Sequence, residues 1–324
     1  MGERPFDLIS WGETLLRLSP PAGFSLEESR LLEVWVGGSE SNVACALARL
    51  GGRVAWVSRL PDNALGRRVA REIAGHGVDT SRVLWAEEEK MGLGFIETGT
   101  MPRANTVLYD RAHSAMANLV PEEMDYGFLA SGKTLHLTGI TPALSESCRR
   151  AWLDSARRAR KEGCKVALDL NYRARLWDAR AARWALEEML PFVDVVLGAF
   201  RDFALLFELS ADPVEAAEKF SATSRVPLVV ITLGAAGALA FDGNDVEHAP
   251  AYATQVVDRI GAGDAFAAGF HFGWGRGGVA DGLRCGNAMA ALKLTYRGDV
   301  GWSTREEVLE LADGGGSDPD SVKR

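Results

Sequence analysis

The sequence predicts an α/β fold: a mostly parallel sheet covered by helices on both faces, with a small separate β-sheet outside it. Three observations carry this. From residue 133 onward, strand-like apolar runs alternate with helix-length amphipathic segments, the pattern of repeated βα units. The runs within 14–36 and 91–111 break that alternation, with strand following strand across turns. The clusters richest in Gly, Asn, Asp and Arg fall just after strand-like runs, where ligands sit in parallel sheets.

Taken in order, Phe6–Trp11 is a short apolar run closed by Gly12 and reads as a buried strand. Residues 14–18 and 31–36 (LLEVWV) alternate apolar and polar, with SPPAG at 19–23 as the loop between them. Gly37-Gly38 ends the second run, Ser39 or Ser41 can cap a helix over 42–50, and Gly51-Gly52 stops it. A strand over 54–58, the loop PDNALG and a basic amphipathic helix over 65–74 follow. MGLGFIE and TVLYDR, joined by a Gly/Pro/Asn loop, return to strand. Strands from about 13–36 and 91–112 therefore form one small sheet. From residue 133 come strand TLHLTG, helix 145–162, strand KVALDL, helix 179–190, strand VDVVLG, a helical region over 201–221, strand PLVVITLG, the paired runs AGALAF and VEHAPAY, and helix 278–296. We expect a single domain over 1–313 and a disordered tail over 314–324.

The chain has 324 residues, 47% hydrophobic and 25% charged, enough to bury a large core without covalent staples. Its net charge of −8 argues against a nucleic-acid surface, which needs a basic stripe. Cys45, Cys148, Cys164 and Cys285 lie far apart with no C-x-x-C spacing, so reduced thiols in a cytoplasmic protein are expected. No signal-peptide h-region and no membrane span are read.

The most informative stretch is VDRIGAGDAFAAGF, 257–270. Gly261, Ala262 and Gly263 leave three backbone N–H groups little obstructed, and a helix beginning at Asp264 adds its positive end. That is an anion cradle with a carboxylate at its lip, as phosphoryl transfer requires; a simple helix cap after a glycine turn fits the same letters. Elsewhere, DLNYRARLW (169–177) follows a strand and offers Arg173 as a planar fork, with Asp169 and Asn171 able to orient it or to contact a metal-bound water. Tyr109 and Arg111 project from one face of a strand in YDRAHSA. ITLGAAGALAF carries a Gly-x-x-Gly turn, which a plain hairpin also explains. GFLASGKT at 127–134 matches the P-loop pattern letter for letter, but a helix-like segment precedes it and Lys133-Thr134 leads into a strand, so it is a chance match.

Together these segments resemble the ribokinase-like (PfkB) carbohydrate kinases. VDRIGAGDAFAAGF is similar to that family's C-terminal D-T-x-G-A-G-D signature, and VGGSESNVACALARLG to its N-terminal Gly-Gly and Asn motif. YDRAHSA, HLTGITPALS, DLNYRARLW and ALKLTYRGDVGW resemble the 2-keto-3-deoxygluconate kinases within it. The resemblance spans about 6–311. It implies a three-layer α/β/α sandwich of about nine strands with a small β lid, ATP and Mg2+, and phosphate transfer to the primary 6-hydroxyl. It implies Asp264 as general base and the N–H groups of Gly261, Ala262 and Gly263 as anion hole. Gly37, Gly38 and Asn42 would line the sugar site, while Arg111 and Arg173, with Tyr109, would hold an acid end. Thr232, Gly234, Gly237, Ala262, Gly263 and Asn287 would lie along the nucleotide, and Asp202 near the metal.

The chain departs from the pattern at three places. Gly94 replaces a common Tyr, with Phe95 expected to fill part of the space. Ala199 replaces the Asn of an N-x-x-E motif, with Asp202 at the Glu position, and Arg259 replaces the signature Thr. At a helix N-terminus Asp264 is expected to have a low pKa. Open lid edges and apolar residues such as Trp35 on the lid's outer face predict a homo-oligomer.

Overall fold

Strand Phe6–Trp11 shows why the main sheet is buried on both faces. Leu8 packs into one core with Leu47, Trp56 and Phe270, whereas Ile9 and Trp11 enter a second core with Trp152, Leu168 and Phe203. Successive side chains of a strand point to opposite faces, so an all-apolar run suits a sheet covered twice. The computed structural model, which describes residues 3–99 and 102–314, places this strand between Val54–Val57 and Gly132–Thr138. Lys165–Asp169, Val195–Ala199 and Leu228–Thr232 follow, all parallel. Ala238–Phe241 and Val246–Ala249 close the edge as an antiparallel pair. The sheet has eight strands among the described residues, where about nine were expected.

The small sheet forms as predicted from the failure of βα alternation. Its order is Glu33–Gly37, Leu15–Ser19, Leu93–Glu97, Thr106–Asp110, the central pair parallel and the outer pairs antiparallel. A two-stranded ribbon, Arg59–Pro61 with Leu84–Ala86, was not expected; three-residue strands leave no periodicity to read. The P-loop look-alike is indeed a short helix, Tyr126–Leu129, running into strand Gly132–Thr138, and Lys133 pairs with Asp7 at 2.8 Å.

Helix 39–49 starts earlier than its expected cap. Ser39 is its first residue, Gly38 precedes it with no side-chain cap, and Ser41 donates back to Gly38 O. Helix Ala262–Gly277 likewise begins two residues before Asp264 and packs against Val279–Leu294. The two approach so closely that a Cβ at Gly269 would lie 2.4 Å from Cys285 O. Trp35 does not face outward: its ring packs over Gly298, and the exposed apolar residues near the lid include Phe24, Leu31, Leu32 and Leu108. The four cysteines are free and buried. No helix among the described residues is long and apolar enough to cross a membrane. The expected tail lies outside the described residues apart from Gly314.

Candidate active site

A cleft of ≈ 500 Å³ opens between the carboxyl ends of the central strands and the small sheet. Gly37, Gly38, Asn42, Tyr109, Arg111, Arg173, Asp202, Thr232, Gly261, Gly263 and Asp264 all line it. Residues up to 227 apart in the chain thus meet, some at the carboxyl ends of main-sheet strands and others on or just after lid strands.

Gly261 takes φ 78, and a Cβ there would stand 1.9 Å from Asp299 O, so both conformation and space demand glycine. The first bond of the following helix runs from Ala265 N to Gly261 O at 2.9 Å, which leaves the preceding amides without intrahelical acceptors. Ala262 N–H makes only a long 3.4 Å contact with Arg259 O, and the Asp264 amide joins those of Gly261, Ala262 and Gly263 among the groups without an intrahelical acceptor. Nothing stands within 4 Å of a Cβ built on Gly263, the open side of this turn.

Asp264 is buried and held from two sides. Ser39 Oγ donates to Oδ1 at 2.6 Å and Asn42 Nδ2 to Oδ2 at 2.7 Å. Asn171, with φ 35, donates in turn to Ser39 Oγ at 2.7 Å. Asn42 and Asn171 therefore orient the carboxylate, and Asn42, which lines the cleft as expected, spends one of its two amide donors on Asp264. Burial pushes the Asp264 carboxyl above its ordinary value despite those donors, overturning the low value expected from its helix position. Asp169 rises to about 8, from burial and then the negative charges of Asp264 and Asp202, and Asp202 also rises through burial.

The two predicted arginines differ. Arg111 is buried and paired with Glu13, its Nε donating to Oε2 at 2.6 Å, while Ser114 Oγ donates to the other carboxylate oxygen. Its charge is thus neutralised within the protein. Arg173 has no carboxylate within 4 Å among the described residues, so its fork is not hydrogen-bonded to one, although its charge lowers the Asp169, Asp202 and Asp264 carboxyls. Arg259 and Arg201 add cations to the cleft lining, Arg201 reaching Asp202 at 3.4 Å. Tyr109 carries Arg111 over its ring at 5.1 Å and covers Gly94, whose Cβ would stand 3.6 Å from it. Phe95 does not fill the Gly94 space; strand alternation turns it to the other face, and Ile96 lines the cleft instead.

Gly37 and Gly38 are dictated by packing as much as by a ligand, since a Cβ would meet Asp299 Oδ1 at 2.6 Å and Glu13 O at 2.4 Å respectively. Of the glycines expected along a nucleotide, Gly234 has φ 61 and an open face, whereas Gly237 closes against Ala249 O. Asn287 spends its amide on Ala249 O and Pro250 O (2.9 and 3.1 Å), so it shapes the wall rather than facing the cleft. Ala199 is the uncapped N-cap of helix Phe200–Phe207. The described residues hold no cluster of three or more His, Cys, Asp or Glu able to cage a metal. Sequence reasoning missed Glu13, Arg17, Ser39, Glu40, Asp258, Lys293 and Asp299 as site builders. Ser39, Glu40, Asp258, Lys293 and Asp299 lie within the motifs VGGSESNVACALARLG, VDRIGAGD and ALKLTYRGDVGW, which could have marked them, whereas Glu13 and Arg17 offered only a charged type at a buried position.

A buried carboxylate beside an amide turn, at the strand ends of a doubly covered parallel sheet, is an arrangement that suits phosphoryl transfer to a small molecule. The chain belongs to the pfkB family of carbohydrate kinases, whose profile, "pfkB family carbohydrate kinase", matches residues 6–305. A 2-dehydro-3-deoxygalactonokinase of Haloferax volcanii is 41% identical over 310 residues, 95% of this chain and 97% of that protein. A 5-dehydro-2-deoxygluconokinase of Shouchella clausii is 32% identical over 90% of each chain. The crystal structure of a 2-dehydro-3-deoxygluconokinase of Thermotoga maritima superposes with TM-score 0.89 at 30% identity, covering 97% of this chain and 100% of that one.

Proposed function

We propose that this carbohydrate kinase transfers the γ-phosphoryl group of ATP to the primary 6-hydroxyl of a 2-keto-3-deoxy sugar acid, either the gluconate or its C4 epimer, the galactonate. The observation that carries the reading is Arg173, which lines the cleft with Asp264 and the cradle and has no carboxylate within ion-pair distance among the described residues. An acid end on Arg173 gives the far hydroxyl a fixed direction toward Asp264. Arg111 contributes its remaining N–H donors rather than a free charge. The relative from H. volcanii favours the galactonate, whereas the T. maritima structure supports the gluconate.

The hydroxyl oxygen attacks the γ-phosphorus, ADP departs, and the hydroxyl proton passes to Asp264. A carboxyl raised by burial is a stronger base than an exposed one, and Ser39 and Asn42 hold it in one orientation. The amides of Gly261, Ala262, Gly263 and Asp264 meet charge on the transferring group. Mg2+ fits the acidic side of the cleft, where Asp202 adds negative charge beside Asp169; with no cage of three such ligands among the described residues, it would be held by these carboxylates, water and ATP, and would neutralise phosphate charge. ADP release is measured with MgATP and each of the two epimers, 5-keto-2-deoxygluconate, ribose and fructose. Turnover confined to the two 2-keto-3-deoxy acids is expected; equal or better turnover of ribose or fructose refutes the role of Arg173.

A further inference from the structure

Arg17 stands on the lid strand Leu15–Ser19, yet its side chain is buried and reaches out of the lid into two core loops. Nη1 donates to Asp299 Oδ2 at 2.9 Å, Nη2 lies 3.3 Å from Asp258 Oδ2, and Nε donates to Ser19 Oγ at 3.0 Å. Both acids belong to the cradle's frame. Asp258 Oδ1 accepts the Ile260 N–H at 3.0 Å, one residue before Gly261. Asp299 is wedged between lid and cradle: its backbone oxygen fills the place of a Gly261 Cβ and its carboxylate that of a Gly37 Cβ.

Lys293, fully buried, completes the group. Its ammonium donates to Asp258 O and to Tyr296 O, each at 3.2 Å. Two cations thus face two carboxylates with almost no water. Buried ion pairs of this kind add little net stability against an apolar replacement, but removing one member leaves a charge stranded. Their geometric demand is high, because Arg presents a rigid planar fork.

We infer that Arg17 is a positioning residue which fixes the phosphate cradle to the lid through Asp299 and Asp258, so that the cradle takes its working shape only when the lid strand is in place. The inference rests on the kinase reading above for the use of the cradle, and on geometry alone for the coupling.

The test compares the full-length wild type with R17M and R17K, in steady-state ADP release and in hydrogen–deuterium exchange of the peptide spanning 257–266. R17M is expected to lower kcat about 100-fold, the scale of an ångström's misplacement, with the sugar-acid KM changed by less than about 3-fold, since the lost interaction acts on the transition state. Exchange at 261–265 is expected to quicken. R17K, which keeps the charge without the fork, should fall between. A raised KM with kcat retained overturns the inference by making Arg17 a substrate ligand. A lower melting temperature with kcat, KM and cradle exchange unchanged overturns it by making the role purely structural. Should R17M not fold, D299N removes the wedge's charge while keeping its shape, and unchanged kcat and exchange in D299N overturn the inference. Absence of wild-type turnover with every sugar acid refutes the substrate reading alone, because the exchange comparison needs no substrate.

Discussion

Glu40 offers a sharp test of how the site is built. It sits in the first turn of helix 39–49, fully buried, with Thr138 and Thr141 hydroxyls donating to Oε1 at 2.7 and 2.8 Å. Its Oε2 is buried without a partner, and the neighbouring Gly12 admits it only because a Cβ there would stand 2.2 Å from the carboxyl carbon. Burial, opposed by the two hydroxyls, moves its pKa from 4.5 to about 7. The native state therefore binds a proton that the unfolded chain has released between these values. That proton's contribution to stability is complete below pH 4.5, declines as pH rises, and is gone above about 7. A shift of this size corresponds to about 3 kcal/mol. Gln keeps the acceptor for both threonines and cannot ionise. Unfolding free energies of wild type and E40Q, from urea titrations at pH 5 and pH 8.5, should differ by about 3 kcal/mol more at the higher pH, in favour of E40Q. Asp169 and Asp299 titrate in the same range but are common to both proteins, and so largely cancel in the difference. A difference independent of pH would show that Glu40 is ionised in the native protein, refuting the burial argument.

Three further substitutions separate the roles of the cleft residues. D264N should keep sugar-acid KM while lowering kcat by about 10²–10⁴-fold, the range of a lost general base; a kcat near wild type, read by ADP release, removes Asp264 from the chemistry. R173M should raise KM for the sugar acid by an amount equivalent to about 2–4 kcal/mol, the scale of a lost charge-assisted pair. R111M should act differently, lowering thermal stability because Glu13 is left buried and unpaired, by roughly 3–5 kcal/mol. The double variant E13Q/R111M should recover part of that loss in a melting experiment, and no recovery would refute the pairing as the cause.

Local pattern was enough to read much of this molecule. The doubly apolar strands, the lid's break in βα order, the antiparallel edge pair and the Gly261–Asp264 turn all follow from periodicity and turn chemistry, which act between near neighbours. The same logic rejected the P-loop match, because a lysine entering a strand cannot sit over phosphates. Short strands such as Arg59–Pro61 escaped, since three residues carry no period.

What the sequence by itself determined, then, is where each strand ends and which residues stand there. Only the tertiary structure decided what each charge faces. Arg111 looked like a free clamp until Glu13, 98 residues away, neutralised it. Asn42 lines the cleft as expected, but only the folded chain brings its amide onto Asp264, 222 residues away. Arg17 drew no attention on an alternating strand, yet it reaches Asp299 across 282 residues. The physical reason is the same in each case. Backbone geometry is set by neighbours in sequence, whereas the state of a buried charge is set by whichever group packing brings within hydrogen-bond reach, and by how much water that packing removes.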